Sequence, residues 1–169
     1  MTSRELCLDR RKRERKAFVN VLKAVPQGRL DYRPDPKSRT AGELAWLIAF
    51  EDSALLPLLE TGRSEWKEVP GPGTVAAIVA TYERNAAAVD EAIAKTSDAA
   101  WEKNVAMSFG TPEPWTDTLE NFAWGFLMDA VHHRGQLSTY LRPMGGKVPS
   151  IYGPSADENP FVPVDALKG

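Results

Sequence analysis

Cysteine is nearly missing from this chain. Cys7 stands alone among 169 residues, so no internal disulfide can form, and a reducing compartment is the simple reading. Histidine is almost as scarce: His132 and His133 are adjacent and there is no third. Any imidazole chemistry must draw on that pair. No stretch approaches the ~18 consecutive apolar residues of a membrane-spanning helix. The opening Met-Thr-Ser-Arg-Glu has no apolar core, which predicts no secretory signal and places the chain in the cytoplasm. Charge of neither sign dominates. Lys and Arg number 21 against 23 Asp and Glu, a net charge of −2, which argues against nucleic acid as a partner. A Gly-rich phosphate loop, a CxxC pair and a G-x-S-x-G elbow are all missing.

What remains is a soluble-type composition, 43% hydrophobic and 26% charged, in a length that suits one domain. The expectation is a single domain over 1–169, with a core at about 3–142 and an irregular tail over 143–169.

Apolar spacing is helical over most of the length, and no strand alternation stands out. A first helix is predicted from Ser3 to Val25, ended by Pro26-Gln-Gly28. Its interleaved charges from Asp9 to Lys16 read as a solvated face. Pro34 and Pro36 make 29–39 an extended connection. Thr40-Ala-Gly-Glu43 is a capping box that opens a second helix, with Leu44, Leu47, Ile48, Leu55, Leu58 and Leu59 on one face and an end at Gly62. A loop follows to Gly73. Thr74 caps a third helix striped by Val75, Ile78, Val79, Tyr82, Ala86, Val89 and Ile93. Residues 101–114 read as a loop. A fourth helix is predicted from Thr116 to Leu141, with Leu119, Phe122, Phe126, Asp129, His133, Leu137 and Tyr140 or Leu141 facing inward. These elements predict an all-α four-helix bundle.

Three polar residues fall on the inward faces: Glu51, Asp129 and His133. Burying a carboxylate or imidazole without a partner costs several kcal/mol, so each needs a reason. Bundle cores build metal sites from converging carboxylates and histidines, and Zn²⁺, Ni²⁺, Mn²⁺ or Fe²⁺ accepts a mixed oxygen–nitrogen set. An Asp–His pair that only satisfies itself is the alternative. His132 points to another side of the helix. His132 and Tyr140 are the candidate proton-moving groups of an enzyme reading. Arg134 reads as a polar surface residue.

The block Val131-His-His-Arg-Gly-Gln-Leu-Ser-Thr-Tyr-Leu-Arg142 resembles the DinB (YfiT-like) family, and Pro143 to Glu158 is similar to one subgroup's continuation of it. Thr40-Ala-Gly-Glu-Leu-Ala-Trp-Leu-Ile-Ala-Phe-Glu51 resembles the second-helix motif of that subgroup, and Gly73 to Tyr82 its third-helix start. The likeness covers about residues 16–160. It implies an up-down-down-up bundle and a homodimer. It also implies divalent-metal proteins that use a low-molecular-weight thiol, such as bacillithiol or mycothiol, in transfer or isomerisation reactions. The usual metal set is three histidines, one in the second helix and two in the fourth. Here the second-helix position is Leu47, the earlier fourth-helix position is Asp129, and only His133 is kept. Two readings follow. Either Asp129, His133 and Glu51 hold a divalent ion in a degenerate site for a thiol-dependent transferase or metal-assisted hydrolase, or the site is lost and a dimeric binding or scaffold protein remains.

Overall fold

The structure is a computed structural model that describes residues 1–162; the last seven positions of the expected tail lie outside the described residues. Helix α1 spans Ser3–Lys23 and is followed by a single 3-10 turn at Gln27–Arg29. Helices α2 (Ala41–Phe50) and α3 (Asp52–Thr61) come next, then strand β1 (Arg63–Glu65). Helix α4 covers Val75–Lys95 and the short α5 Asp98–Trp101. Strands β2 (Asn104–Ser108) and β3 (Trp115–Thr118) lead into α6 (Leu119–Leu141).

The all-α expectation is overturned by a three-stranded mixed sheet, in the order β1-β2-β3. Arg63, Ser64 and Glu65 pair in parallel with Ala106, Met107 and Ser108, and β2 pairs antiparallel with β3 from Asn104–Thr118 to Met107–Trp115. Both regions that read as loops, 63–73 and 101–114, therefore contribute strands. Gly62 makes the first strand possible: its φ of 73° lies in the left-handed region, where glycine pays no Cβ penalty, and it turns the chain out of α3.

Thr40 and Glu43 form the predicted capping box, with Thr40 Oγ1 accepting from the Glu43 amide at 3.1 Å and Glu43 accepting from the Thr40 amide at 2.7 Å. The predicted second helix is not continuous. Its ladder is interrupted at Glu51, shortly before Pro57, which has no N–H to offer Ser53. The fourth helix begins at Leu119 rather than Thr116, because 115–118 are committed to β3 and Thr118 serves as the cap, accepting from Asn121 N at 3.1 Å.

Helix α4 packs against α1, α2 and α3, and α6 against α1, α2 and α3. The core has two apolar parts. One gathers Phe18, Leu22, Leu44, Ile48, Ile78, Tyr82, Leu127, Leu137 and Leu141. The other gathers Cys7, Leu55, Leu58, Val89, Ile93, Trp101, Phe122 and the strand residues Val105 and Met107. Between these parts each of three helical segments places buried polar side chains: Arg11 and Glu14 on α1, Glu51 and Asp52 at the α2–α3 junction, Asp90 on α4. Arg11 donates to Asp52 at 2.7 Å and to Asp90 at 3.0 Å, and Arg15 also reaches Asp90. The run Asp9–Lys16 is thus not uniformly solvated. Its Arg11 and Glu14 turn inward, which is tolerable only because each is paired.

Arg134, expected on the surface, is also buried, at 2% exposure. It donates to Glu14 at 2.7 Å and to the Tyr152 hydroxyl at 2.5 Å, and it lies 4.5 Å from the Phe18 ring centroid. Tyr152 in turn donates to Glu14 at 2.9 Å. Farther along, Asp157 accepts from Arg142 and from the Val148 amide, both at 2.9 Å. The described part of the tail is irregular, as expected, yet it is pinned to α1 and α6 at these two points.

Candidate functional site

The break at Glu51 sets the site. Its amide still donates to Leu47 O at 3.0 Å, and its carbonyl accepts from Ala54 at 2.9 Å, so backbone bonds anchor the junction on both sides. The Glu51 side chain is held 3% exposed. Its Oε1 has no hydrogen-bond partner. Burial pushes its pKa well above the usual carboxylate range; the Asp129 and Asp52 carboxylates push the same way, and Arg11 only partly opposes them. Glu51 is therefore a neutral carboxylic acid over a pH range where ordinary glutamates are ionised.

Helix α6 presents Asp129 and His133 one turn apart. His133 Nε2 lies 3.3 Å from Asp129 Oδ2, and its Nδ1 lies 3.0 Å from Gln136 Oε1. An amide oxygen can only accept, so Nδ1 carries the hydrogen. Nε2 then meets the carboxylate as a donor in the imidazolium and as a bare lone pair in the neutral ring.

These three residues line one cleft of about 500 Å³, together with Leu47, Met107, Phe109, Trp115, Phe122 and Phe126. The sheet supplies one wall and α6 the other. The rings of Trp115 and Phe122 are 5.1 Å apart and those of Phe109 and Trp115 6.3 Å, so aromatic surface runs continuously from the helix to the β2–β3 connection. Arg39 stands at the edge with its guanidinium 3.0 Å from Glu68. A second cleft of about 530 Å³ shares Arg39, Leu47 and Trp66. Its carboxyls, Glu43 and Glu68, are exposed, and they are engaged by Thr40 and Arg39. Of these two clefts, the first combines an apolar wall with a buried acid.

The structure thus brings Glu51, Asp129 and His133 to a single cleft, but Asp129, expected to face inward, is exposed at its rim. His132 is exposed, with its ring 5.2 Å from that of His133 and not on the cleft wall. Tyr140 is half-buried; its hydroxyl is 3.5 Å from Arg39 O and its ring packs edge-on against Tyr32. It too lies off the cleft wall. The aromatic pair Phe109 and Trp115 was hidden in an apparent loop, although two large exposed aromatics flanking Gly110 and Pro114 are a signal in themselves. Among the described residues, no three His, Cys, Asp or Glu side chains are arranged to hold a metal ion together. Cys7 is fully buried in the second apolar part, away from the cleft, and burial raises its thiol to about 11.

Comparison with known proteins places this geometry in context. The sequence model of the DinB superfamily matches residues 11–137. A DinB-like protein from Bacillus cereus superposes with a TM-score of 0.72 at 24% identity, covering 88% of this chain and 97% of that one. A DinB-like protein from Bacillus subtilis gives 0.66 at 13% identity, covering 84% and 94%. The mycothiol-dependent maleylpyruvate isomerase gives 0.58 at 16% identity; 88% of this chain is covered but only 63% of that longer one. Likenesses this remote establish the fold. No curated protein matches the sequence. Among the described residues, no helix is long and apolar enough to cross a membrane.

Proposed function

Because this chain belongs to the DinB superfamily, we propose that it acts on a small organic molecule in the cleft over Glu51, as a thiol-dependent transferase or isomerase. The observation that carries this reading is the unpartnered, neutral carboxyl of Glu51, buried beneath an aromatic cleft and beside an Asp–His pair. A buried unsatisfied polar atom costs about 1–3 kcal/mol, and such costs are tolerated where a ligand or a reaction uses the group. The isomerase with the same fold uses mycothiol, which supports a thiol as co-substrate here.

The family's divalent metal does not fit this donor set. Leu47, 9% exposed and apolar, stands where the resemblance places a histidine, and Glu51, Asp129 and His133 do not form a three-donor arrangement. Proton transfer by the chain's own groups is the route that remains. His133, with Nδ1 bonded to Gln136, offers Nε2 to a thiol. The S–H bond breaks, its proton moves to Nε2, and the sulfur forms a bond to an electrophilic carbon. The electron pair displaced from that carbon's π bond is met by the proton of Glu51. Asp129, beside Nε2, stabilises the imidazolium so formed.

The test is addition of cysteine to an α,β-unsaturated ketone, followed by loss of the ketone chromophore. Glu51→Gln and His133→Asn should each lower the protein-dependent rate by about 100-fold while the circular dichroism spectrum stays unchanged. Unaltered rates in both variants would overturn the assignment. A second reading, a homodimeric binding protein without turnover, is favoured by the apolar Leu47 in place of a donor. Retention of the ketone without consumption would decide for it.

A further inference from the structure

We propose that the cleft selects an organic ammonium ion carrying an aromatic or apolar body. The inference rests on the preceding assignment of the cleft as the working site and adds the charge of what enters it. Three observations point the same way.

The walls are built for a cation. Trp66, Phe109, Trp115, Phe122 and Phe126 line the cleft, and ring faces attract positive charge through their quadrupoles. The floor accepts and does not balance its own charge. Glu51 Oε1 is buried without a hydrogen-bond partner, and the Asp129 carboxylate, 58% exposed, has the His133 ring as its ion-pairing neighbour. The arginines at and behind the cleft each have a carboxylate partner. Arg39 is paired with Glu68 at 3.0 Å, and Arg11, behind Glu51, is shared by Asp52 and Asp90. Among the described residues, no lysine lines the cleft. An alkylammonium group brings only donors and one positive charge, so it pairs with Asp129 on the cleft wall beside the Glu51 carboxyl. A carboxylate ligand of the same shape meets Asp129 as a like charge, and a neutral alcohol pairs with neither as fully. Selection therefore comes from repulsion of the wrong ligand as well as attraction of the right one.

The experiment uses the whole chain at pH 8 with a chelator present, so that no adventitious metal ion competes. Tryptophan fluorescence is titrated with benzylammonium, benzyl alcohol and benzoate, and calorimetry checks each affinity. Benzylammonium should bind about ten-fold more tightly than the alcohol, with benzoate weakest. Asp129→Asn should erase the preference, bringing benzylammonium down to the affinity of the alcohol. Equal or tighter binding of benzoate or the alcohol, or a preference that survives Asp129→Asn, overturns the proposal. Trp115→Leu locates the ligand. If all three compounds bind without charge preference and lose affinity in that variant, the cleft assignment stands and the ammonium proposal falls. If none binds by either method, both fall.

Discussion

Replacing Arg134 by alanine should be among the most damaging single changes in this protein. Its guanidinium is 2% exposed, pairs with a Glu14 carboxylate whose side chain is 7% exposed, and packs over Phe18. Truncation removes the packing and strands Glu14 as a buried charge with only the Tyr152 hydroxyl left to it. Breaking a buried ion pair from one side costs about 3–5 kcal/mol. For a chain of this size each kcal/mol moves the midpoint by about 2–4 °C, so Arg134→Ala should lower Tm by about 10 °C. Urea unfolding followed by circular dichroism, with the slope unchanged, gives the free energy directly. The companion is Arg134→Met with Glu14→Leu. Replacing both charges by apolar groups of similar volume removes the stranded carboxylate, and the pair should recover most of the loss. A cost below about 1 kcal/mol for Arg134→Ala would refute the argument, because only surface charges are that cheap. So would a double variant as unstable as the single one.

Other consequences can be checked independently. Glu51 is held protonated in the folded chain, so its stabilising contribution is full below the ordinary glutamate pKa of 4.5 and is lost as pH rises toward the raised native value. Glu51→Gln should therefore gain stability over the parent progressively from about pH 5 upward; a pH-independent difference in urea midpoints would contradict this. Cys7, with its thiol raised to about 11, should not react with a disulfide reagent at pH 8 until the chain is unfolded by guanidinium. Leu47→His combined with Asp129→His should restore stoichiometric Zn²⁺ or Ni²⁺ binding, read by metal analysis after gel filtration, with a Tm that climbs with metal concentration. A metal-free double variant would mean that these positions do not face one another as the family resemblance implies.

Much of this architecture was legible in the residues, and the failures have physical causes. The Thr40–Glu43 box and the stripe from Val75 to Ile93 are local signals, and local bonds decide them. The sheet was not legible because its strands are only three, five and four residues long. β1, Arg-Ser-Glu, has no apolar alternation and is a strand only by virtue of pairing with β2. Arg134 was misplaced because two faces of α6 overlap: Leu119, Leu137 and Leu141 lie between the direction of His133 and that of Arg134. Pairing with Glu14, 120 positions away in sequence, settles which of the two is deepest. Glu51 was legible as an anomaly, a carboxyl on an apolar face. That it sits at a helix break is set by its surroundings, since its own backbone angles, φ −58° and ψ −32°, are helical.

The cleft draws its two sides from structures of different kinds. Its acid and its imidazole stand on helical backbone locked into the interior, while Phe109 and Trp115 ride on a short hairpin at the periphery. Residues 109–115 can thus be exchanged, by mutation or by design, to reshape the cleft while Glu51 and His133 stay in register on their helices.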